Sequence, residues 1–143
     1  MSRIVAIDYG KKRVGIAATD VLQLTANPVG TYSPDEAIAF LDIYIAKEPV
    51  EIIVVGMPVN LNGRPSEVAP LALNFKNRIK NRYPSVTVEE YDERFTSKMA
   101  QQAILAMGVK KMDRRDKSLV DRVSACIILQ SYMESRAIRQ SRL

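Results

Sequence analysis

The sequence predicts an α/β protein: a five-stranded mixed sheet, expected in the order 3-2-1-4-5, flanked by helices. Three observations predict it. The runs Ile4-Val5-Ala6-Ile7 and Ile52-Ile53-Val54-Val55 have no polar break, as in strands covered on both faces. The strand-like stretches before Ser33 are joined by turns, which makes them antiparallel neighbours. Those after it are separated by helix-length segments, and right-handed crossovers through these place the fourth strand beside the first.

The first strand, Arg3 to Gly10, ends in Asp8 and a glycine turn. Gly10-Lys11-Lys12-Arg13 forms the tip of a hairpin whose second strand is Val14 to Ala18. A short third strand is expected around Val29 to Tyr32, with Pro28 at its start or on an edge. Ser33-Pro34-Asp35-Glu36 is a helix start: Ser33 caps, Pro34 fits the first position, and Glu36 completes a capping box. Ala37, Phe40, Leu41 and Tyr44 continue that helix to about Lys47, before Pro49. Glu51 to Gly56 is the fourth strand, and the turn-rich segment Met57 to Pro65 leaves its carboxyl end. A second helix is expected from about Ser66 to Arg82, burying Ala72, Phe75 and Ile79, with Lys76, Arg78, Lys80 and Arg82 read as solvated. Val86 to Asp92 is the fifth strand. Thr96 or Ser97 caps a helix through about Met107, closed by Gly108. A basic loop over 109–117 precedes a last helix from Ser118 to about Arg139, buried through Ile127, Ile128, Leu129, Tyr132 and Met133. The order β-β-β-α-β-α-β-α-α is the pattern of an RNase H-like sheet, and 143 residues fit one domain spanning 1–143.

Composition narrows the chemistry. The chain is 47% hydrophobic, with 21 Lys and Arg against 16 Asp and Glu, a net charge of +5 that suits a polyanionic partner. There is no His, which excludes a Ser-His-Asp triad, imidazole acid/base catalysis and imidazole metal ligands. The single Cys126 lies in an apolar helical stretch, expected as a small buried residue, and no internal disulfide is possible. The start carries no signal-peptide pattern and no apolar run approaches a membrane span, so the expectation is a soluble, cytoplasmic protein.

The remaining candidates are carboxylates. In the expected architecture Asp8 and the Asp92-Glu93 pair reach the same carboxyl edge, where sites of open α/β sheets collect. The last helix crosses that edge and brings Asp121. Converging carboxylates raise each other's pKa unless a cation joins them. Oxygen-only ligands suit Mg²⁺ or Mn²⁺, and two such ions about 3.5–4 Å apart activate water and stabilise the leaving oxygen of a phosphodiester. Simpler readings stand beside this one: Asp8 as a turn residue, Asp92 as a helix cap, Glu93 paired with Arg94 or Lys98, and Ser118 to Asp121 as a capping box.

Four segments, in order, carry a resemblance: Ile7-Asp8-Tyr9-Gly10; Gly56-Met57-Pro58 with Asn60 and Gly63; Asp92-Glu93-Arg94-Phe95-Thr96-Ser97; and Val120-Asp121-Arg122-Val123-Ser124-Ala125 running into Ile128-Leu129. Together they resemble the YqgF or RuvX family of Holliday junction resolvases and pre-16S rRNA nucleases, from Ile4 to about Glu134. The resemblance implies a fold similar to RNase H and the RuvC resolvase. It implies a metal-dependent nuclease of the bacterial cytoplasm acting on structured RNA or branched DNA, as a monomer or homodimer. It implies processing of the 5′ end of pre-16S rRNA, with junction resolution as the other activity. Carried over by motif, Asp8, Glu93 and Asp121 hold Mg²⁺ or Mn²⁺, with Asp92 as a rival to Glu93. Arg94 and Thr96 support the site or contact phosphate, and Asn60 and Gly63 face the substrate. Lys11, Lys12, Arg13, Lys110, Lys111, Arg114 and Arg115 attract the backbone. The third motif commonly reads Asp-Glu-Arg-Leu; Phe95 replaces the Leu, an apolar exchange.

Two other classes compete. Actin-like and sugar-kinase ATPases share this sheet and a similar first hairpin, but enclose their nucleotide between two such domains, and 143 residues supply one. A non-catalytic nucleic-acid-binding factor on the same fold would carry the same net charge, and the presence of all three carboxylates argues against it.

Overall fold

The computed structural model describes residues 2–58, 67–92 and 117–141, with side chains over 123–140 in the last of these stretches. The elements are β1 (Arg3–Tyr9), β2 (Val14–Thr19), β3 (Ala26–Tyr32), α1 (Pro34–Lys47), β4 (Val50–Met57), α2 (Ala69–Arg82), β5 (Thr87–Asp92) and α3 (Lys117–Ser141). The sheet order is β3-β2-β1-β4-β5, as expected. β1 pairs antiparallel with β2 and parallel with β4, β4 pairs parallel with β5, and β2 pairs antiparallel with β3. Among the described residues no helix is long and apolar enough to cross a membrane.

The alternation of side chains along the central strands divides the core in two. Val5 and Ile7 of β1 and Ile53 and Val55 of β4 face α1 and α2, against Ala37, Ile38, Leu41, Phe75 and Ile79. Ile4, Ala6, Ile52 and Val54 face α3, against Ala125, Cys126, Ile128 and Leu129. Both faces are covered, which is why these strands read as unbroken apolar runs. Cys126 is buried, and the apolar surroundings push its thiol up to about 12. That keeps it protonated and inert.

Ser33 caps α1 as the sequence suggests: its side chain accepts from the Glu36 backbone N–H, and the Glu36 carboxylate accepts from the Ser33 N–H, both at 3.3 Å. β3 starts earlier than expected, at Ala26, because a register shift opposite Ile16 and Ala17 takes up the extra residue around Pro28. Pro28 is tolerated there because β3 is an edge strand and the ladder is already interrupted. α2 is described from Ala69, with Pro70 in its first turn; Ser66, the expected start, lies outside the described residues. α3 is described from Lys117, so Ser118 is already helical rather than at the cap.

Three of the α2 cations, read as solvated, are also paired with carboxylates. Lys76 reaches Glu90 at 3.4 Å, Arg78 reaches Asp35 at 3.0 Å, and Arg82 reaches Asp42 at 2.6 Å. Their partners lie on α1 and β5, elements that sequence spacing on α2 cannot bring into view. The Arg82 guanidinium and the Tyr83 hydroxyl both donate to Asp42 and hold its carboxyl down at about 2, against an ordinary 3.8. A depressed carboxylate contributes stability that is complete above its unfolded pKa and lost as pH falls through the folded one. The Asp42 contribution therefore disappears between about pH 4 and pH 2. In acid titration followed by circular dichroism, Asp42→Asn should start less stable at pH 6 and approach wild type toward pH 2. A constant offset across that window would contradict the assignment.

Candidate active site

Asp8 occupies the carboxyl end of β1, the central strand, and is half-buried. Its neighbours in the ladder are Gly15 on β2 and Gly56 on β4. The same register continues outward to Thr31 on β3 and Tyr91 on β5. One row, Thr31-Gly15-Asp8-Gly56-Tyr91, thus crosses all five strands. It has the parity of Ala6 and Val54, so it lies on the α3 face. Laterally aligned positions are about 4.8 Å apart, and neither position beside Asp8 carries a side chain. Glycine inside a strand weakens it and marks close approach of a ligand or another segment. The sequence carries this signal in Val14-Gly15-Ile16 and Val55-Gly56, but only strand register shows that both glycines flank Asp8.

Beyond Asp8 the chain turns at Gly10. A Cβ there would sit 2.6 Å from the Arg13 carbonyl oxygen, so the hairpin closes only on glycine. The turn exposes Lys11, Lys12 and Arg13 at the edge that carries Asp8. Met57 and Pro58 end β4 at that edge too. Asn60 and Gly63, in the segment that follows, lie outside the described residues.

Asp92 ends β5 opposite Met57. It shares the parity of Val88, which packs in the α1/α2 core, and of Glu90, which pairs with Lys76 of α2. Asp8 has the opposite parity. The structure therefore brings the end of β5 level with Asp8, about two strand spacings away, and places Asp92 on the other face of the sheet. Sequence alone put Glu93 first and kept Asp92 as its rival, because only the pairing register fixes which face each residue takes.

α3 carries Asp121 in its early turns. Ser131 meets Tyr91 near the carboxyl edge, while Arg136 reaches Gln23 at 3.2 Å and Glu51 at 3.9 Å near the opposite edge. The helix therefore points its N-terminal turns toward the edge of Asp8. The Asp121 side chain and residues Glu93, Arg94, Thr96, Lys110, Lys111, Arg114 and Arg115 lie outside the described residues, as do the expected helix ending at Met107 and the basic loop after it. Among the described residues no three acidic or Cys side chains gather as a metal cluster. What is described of the donor set still fits a hard divalent cation: a half-buried carboxylate at the end of a central strand, with a bare position on each side and no imidazole or accessible thiolate nearby.

Comparison with known proteins agrees with this architecture. A curated protein of Parabacteroides distasonis, named "Putative pre-16S rRNA nuclease", is 51% identical over 136 residues, covering 95% of this chain and 97% of its own. One of the same name from Phocaeicola vulgatus is 52% identical over 136 residues, covering 95% and 98%. Among solved structures, Thermus thermophilus RuvC matches with a TM-score of 0.57 at 13% identity, covering 94% of this chain and 96% of that one. RuvC of the same organism in complex with a Holliday junction substrate gives 0.54 at 14% identity, covering 96% of both chains. At these identities the likeness is one of fold, and it extends over nearly the whole chain. The model of the family described as RuvX, Holliday junction resolvase, matches residues 2–135, and with relatives at half identity along almost its full length, the chain belongs to the RuvX family.

Proposed function

We propose that this protein is a divalent-metal-dependent nuclease that processes the 5′ end of pre-16S rRNA in the cytoplasm, with residues 1–143 acting as one nuclease domain. The observation that carries the reading is the placement of Asp8, at the carboxyl end of the central strand between two glycines, in a chain half identical to proteins named for that activity. Asp8, Glu93 and Asp121 are the proposed ligands. Glu93 is preferred over Asp92 because strand alternation puts Asp92 on the α2 face.

When bound, Mg²⁺ or Mn²⁺ lowers the pKa of a coordinated water and takes up charge on the leaving oxygen. The chain supplies the rest. Asp8 projects from a strand hydrogen-bonded on both sides, so its carboxylate is held by the sheet and needs little reorganisation. Gly15 and Gly56 put no side chain at the ladder positions beside it. Lys11, Lys12 and Arg13, with Arg94, Thr96, Asn60, Gly63, Lys110, Lys111, Arg114 and Arg115, hold the nucleic-acid backbone, so binding weakens steeply with salt.

Junction resolution is the second reading, favoured by the description of the family model. It calls for a homodimer presenting paired sites. The test is cleavage of an end-labelled pre-16S rRNA fragment and a four-way DNA junction side by side, in Mg²⁺, Mn²⁺ and EDTA. Metal-dependent cutting of the RNA supports the proposal. Cutting of the junction alone supports resolution instead. Failure to cut either substrate overturns the nuclease reading in favour of a binding factor.

A further inference from the structure

α3 packs mainly against β1, β2 and β3, while β5 lies at the far edge beyond β4. Long side chains bridge that gap. The Tyr91 hydroxyl and the Ser131 Oγ are 2.6 Å apart, and Ser131 is 2% exposed. One residue along the helix, the Tyr132 hydroxyl donates to the Glu89 carboxylate. The Tyr91 and Tyr132 rings meet edge to face, with centroids 6.2 Å apart at 83°. Glu89 and Tyr91 are alternate residues on one face of β5, and Ser131 and Tyr132 are adjacent on α3. Two contacts at different levels resist both sliding and rolling of the helix against the strand.

We propose that this clasp, centred on Tyr91 and Ser131, positions the metal site by fixing α3, which carries Asp121, relative to the end of β5, which leads into Glu93. The inference rests on the nuclease reading. Asp8 sits in the hydrogen-bonded centre of the sheet, whereas α3 meets β5 through these side chains. Tyr91 and Ser131 are positioning residues; neither is assigned a contact with substrate. A hydroxyl pair that merely stabilised the fold would be equivalent to one elsewhere, and the molecule supplies such a comparison. The Tyr83 hydroxyl donates to Asp42 at 2.5 Å and to the Ile38 carbonyl at 3.3 Å, on the opposite face of the sheet.

The experiment is Mn²⁺ titration followed by electron paramagnetic resonance, with thermal melting, on wild type, Tyr91→Phe, Ser131→Ala, Ser131→Thr and Tyr83→Phe. Tyr91→Phe and Ser131→Ala should weaken Mn²⁺ binding severalfold, less than the ~10- to 100-fold cost of removing a direct hydrogen-bond partner of a ligand. Ser131→Thr, which keeps the hydroxyl, should recover most of the affinity. Tyr83→Phe should melt at a lower temperature and bind Mn²⁺ as wild type does. On a pre-16S rRNA fragment the clasp variants should lose kcat more than KM. Wild-type Mn²⁺ affinity in Tyr91→Phe, or equal weakening in Tyr83→Phe, would overturn the clasp. Mn²⁺ binding that is absent in wild type, or unchanged by Asp8→Asn, would overturn the nuclease reading, and the clasp's role with it.

Discussion

Asp8→Asn should abolish cleavage while leaving the protein folded and able to bind nucleic acid. The substitution removes the charge of the carboxylate at the centre of the row and keeps its size. Loss of a metal ligand at a hydrolytic centre removes several kcal/mol of transition-state stabilisation. About 4 kcal/mol corresponds to roughly a thousandfold in rate. Binding should persist if, as proposed, attraction to the backbone resides in the cations of the hairpin tip and the 109–117 segment rather than in Asp8. If Glu93 and Asp121 converge on Asp8 as proposed, the melting temperature should hold or rise slightly without metal, since one of the like charges is gone. Single-turnover cleavage, filter binding and thermal melting on one preparation separate these effects. Residual cleavage within tenfold of wild type would remove Asp8 from the chemistry.

Leu129→Ala should give the largest loss of stability among single changes in α3. Leu129 is 0% exposed and packs with Ile4, Ala6, Ala17 and Val54, the layer that fixes α3 to the sheet. Truncating a fully buried Leu costs about 2–5 kcal/mol, because the cavity closes only partly. Against a typical total of about 5–15 kcal/mol, that is a large share, equivalent to a drop of roughly 5–15 °C in melting temperature. Ile127→Ala, at a half-buried position of the same helix, should cost clearly less. Melting of the two variants side by side checks the ranking. Equal losses would mean that α3 is rotated from the orientation described.

Some of this was legible in the chain and some was not, for physical reasons. The unbroken apolar runs of β1 and β4 announced strands covered twice, and the capping box at Ser33 fixed the start of α1. Local patterns suffice where the determinants are local. β3 was cut short because Asn27 and Pro28 break the pattern, and only its partner β2 shows that pairing resumes beyond the bulge. Arg78 and Arg82 read as solvated because their carboxylate partners lie 40 or more residues away in sequence, on α1. The prominence of Asp8 came from its place at a strand end. Its glycine neighbours, and the exclusion of Asp92 from its face, depend on register across three strands, which no single segment encodes.

The central claim is that Asp8, Glu93 and Asp121 share a divalent cation and Asp92 does not. Mn²⁺ titration of Asp8→Asn, Glu93→Gln, Asp121→Asn and Asp92→Asn against wild type tests it most directly. The account predicts markedly weaker binding in the first three and wild-type binding in Asp92→Asn. Weak binding in Asp92→Asn with wild-type affinity in Glu93→Gln would contradict it, and would show that β5 turns over before it delivers its carboxylate.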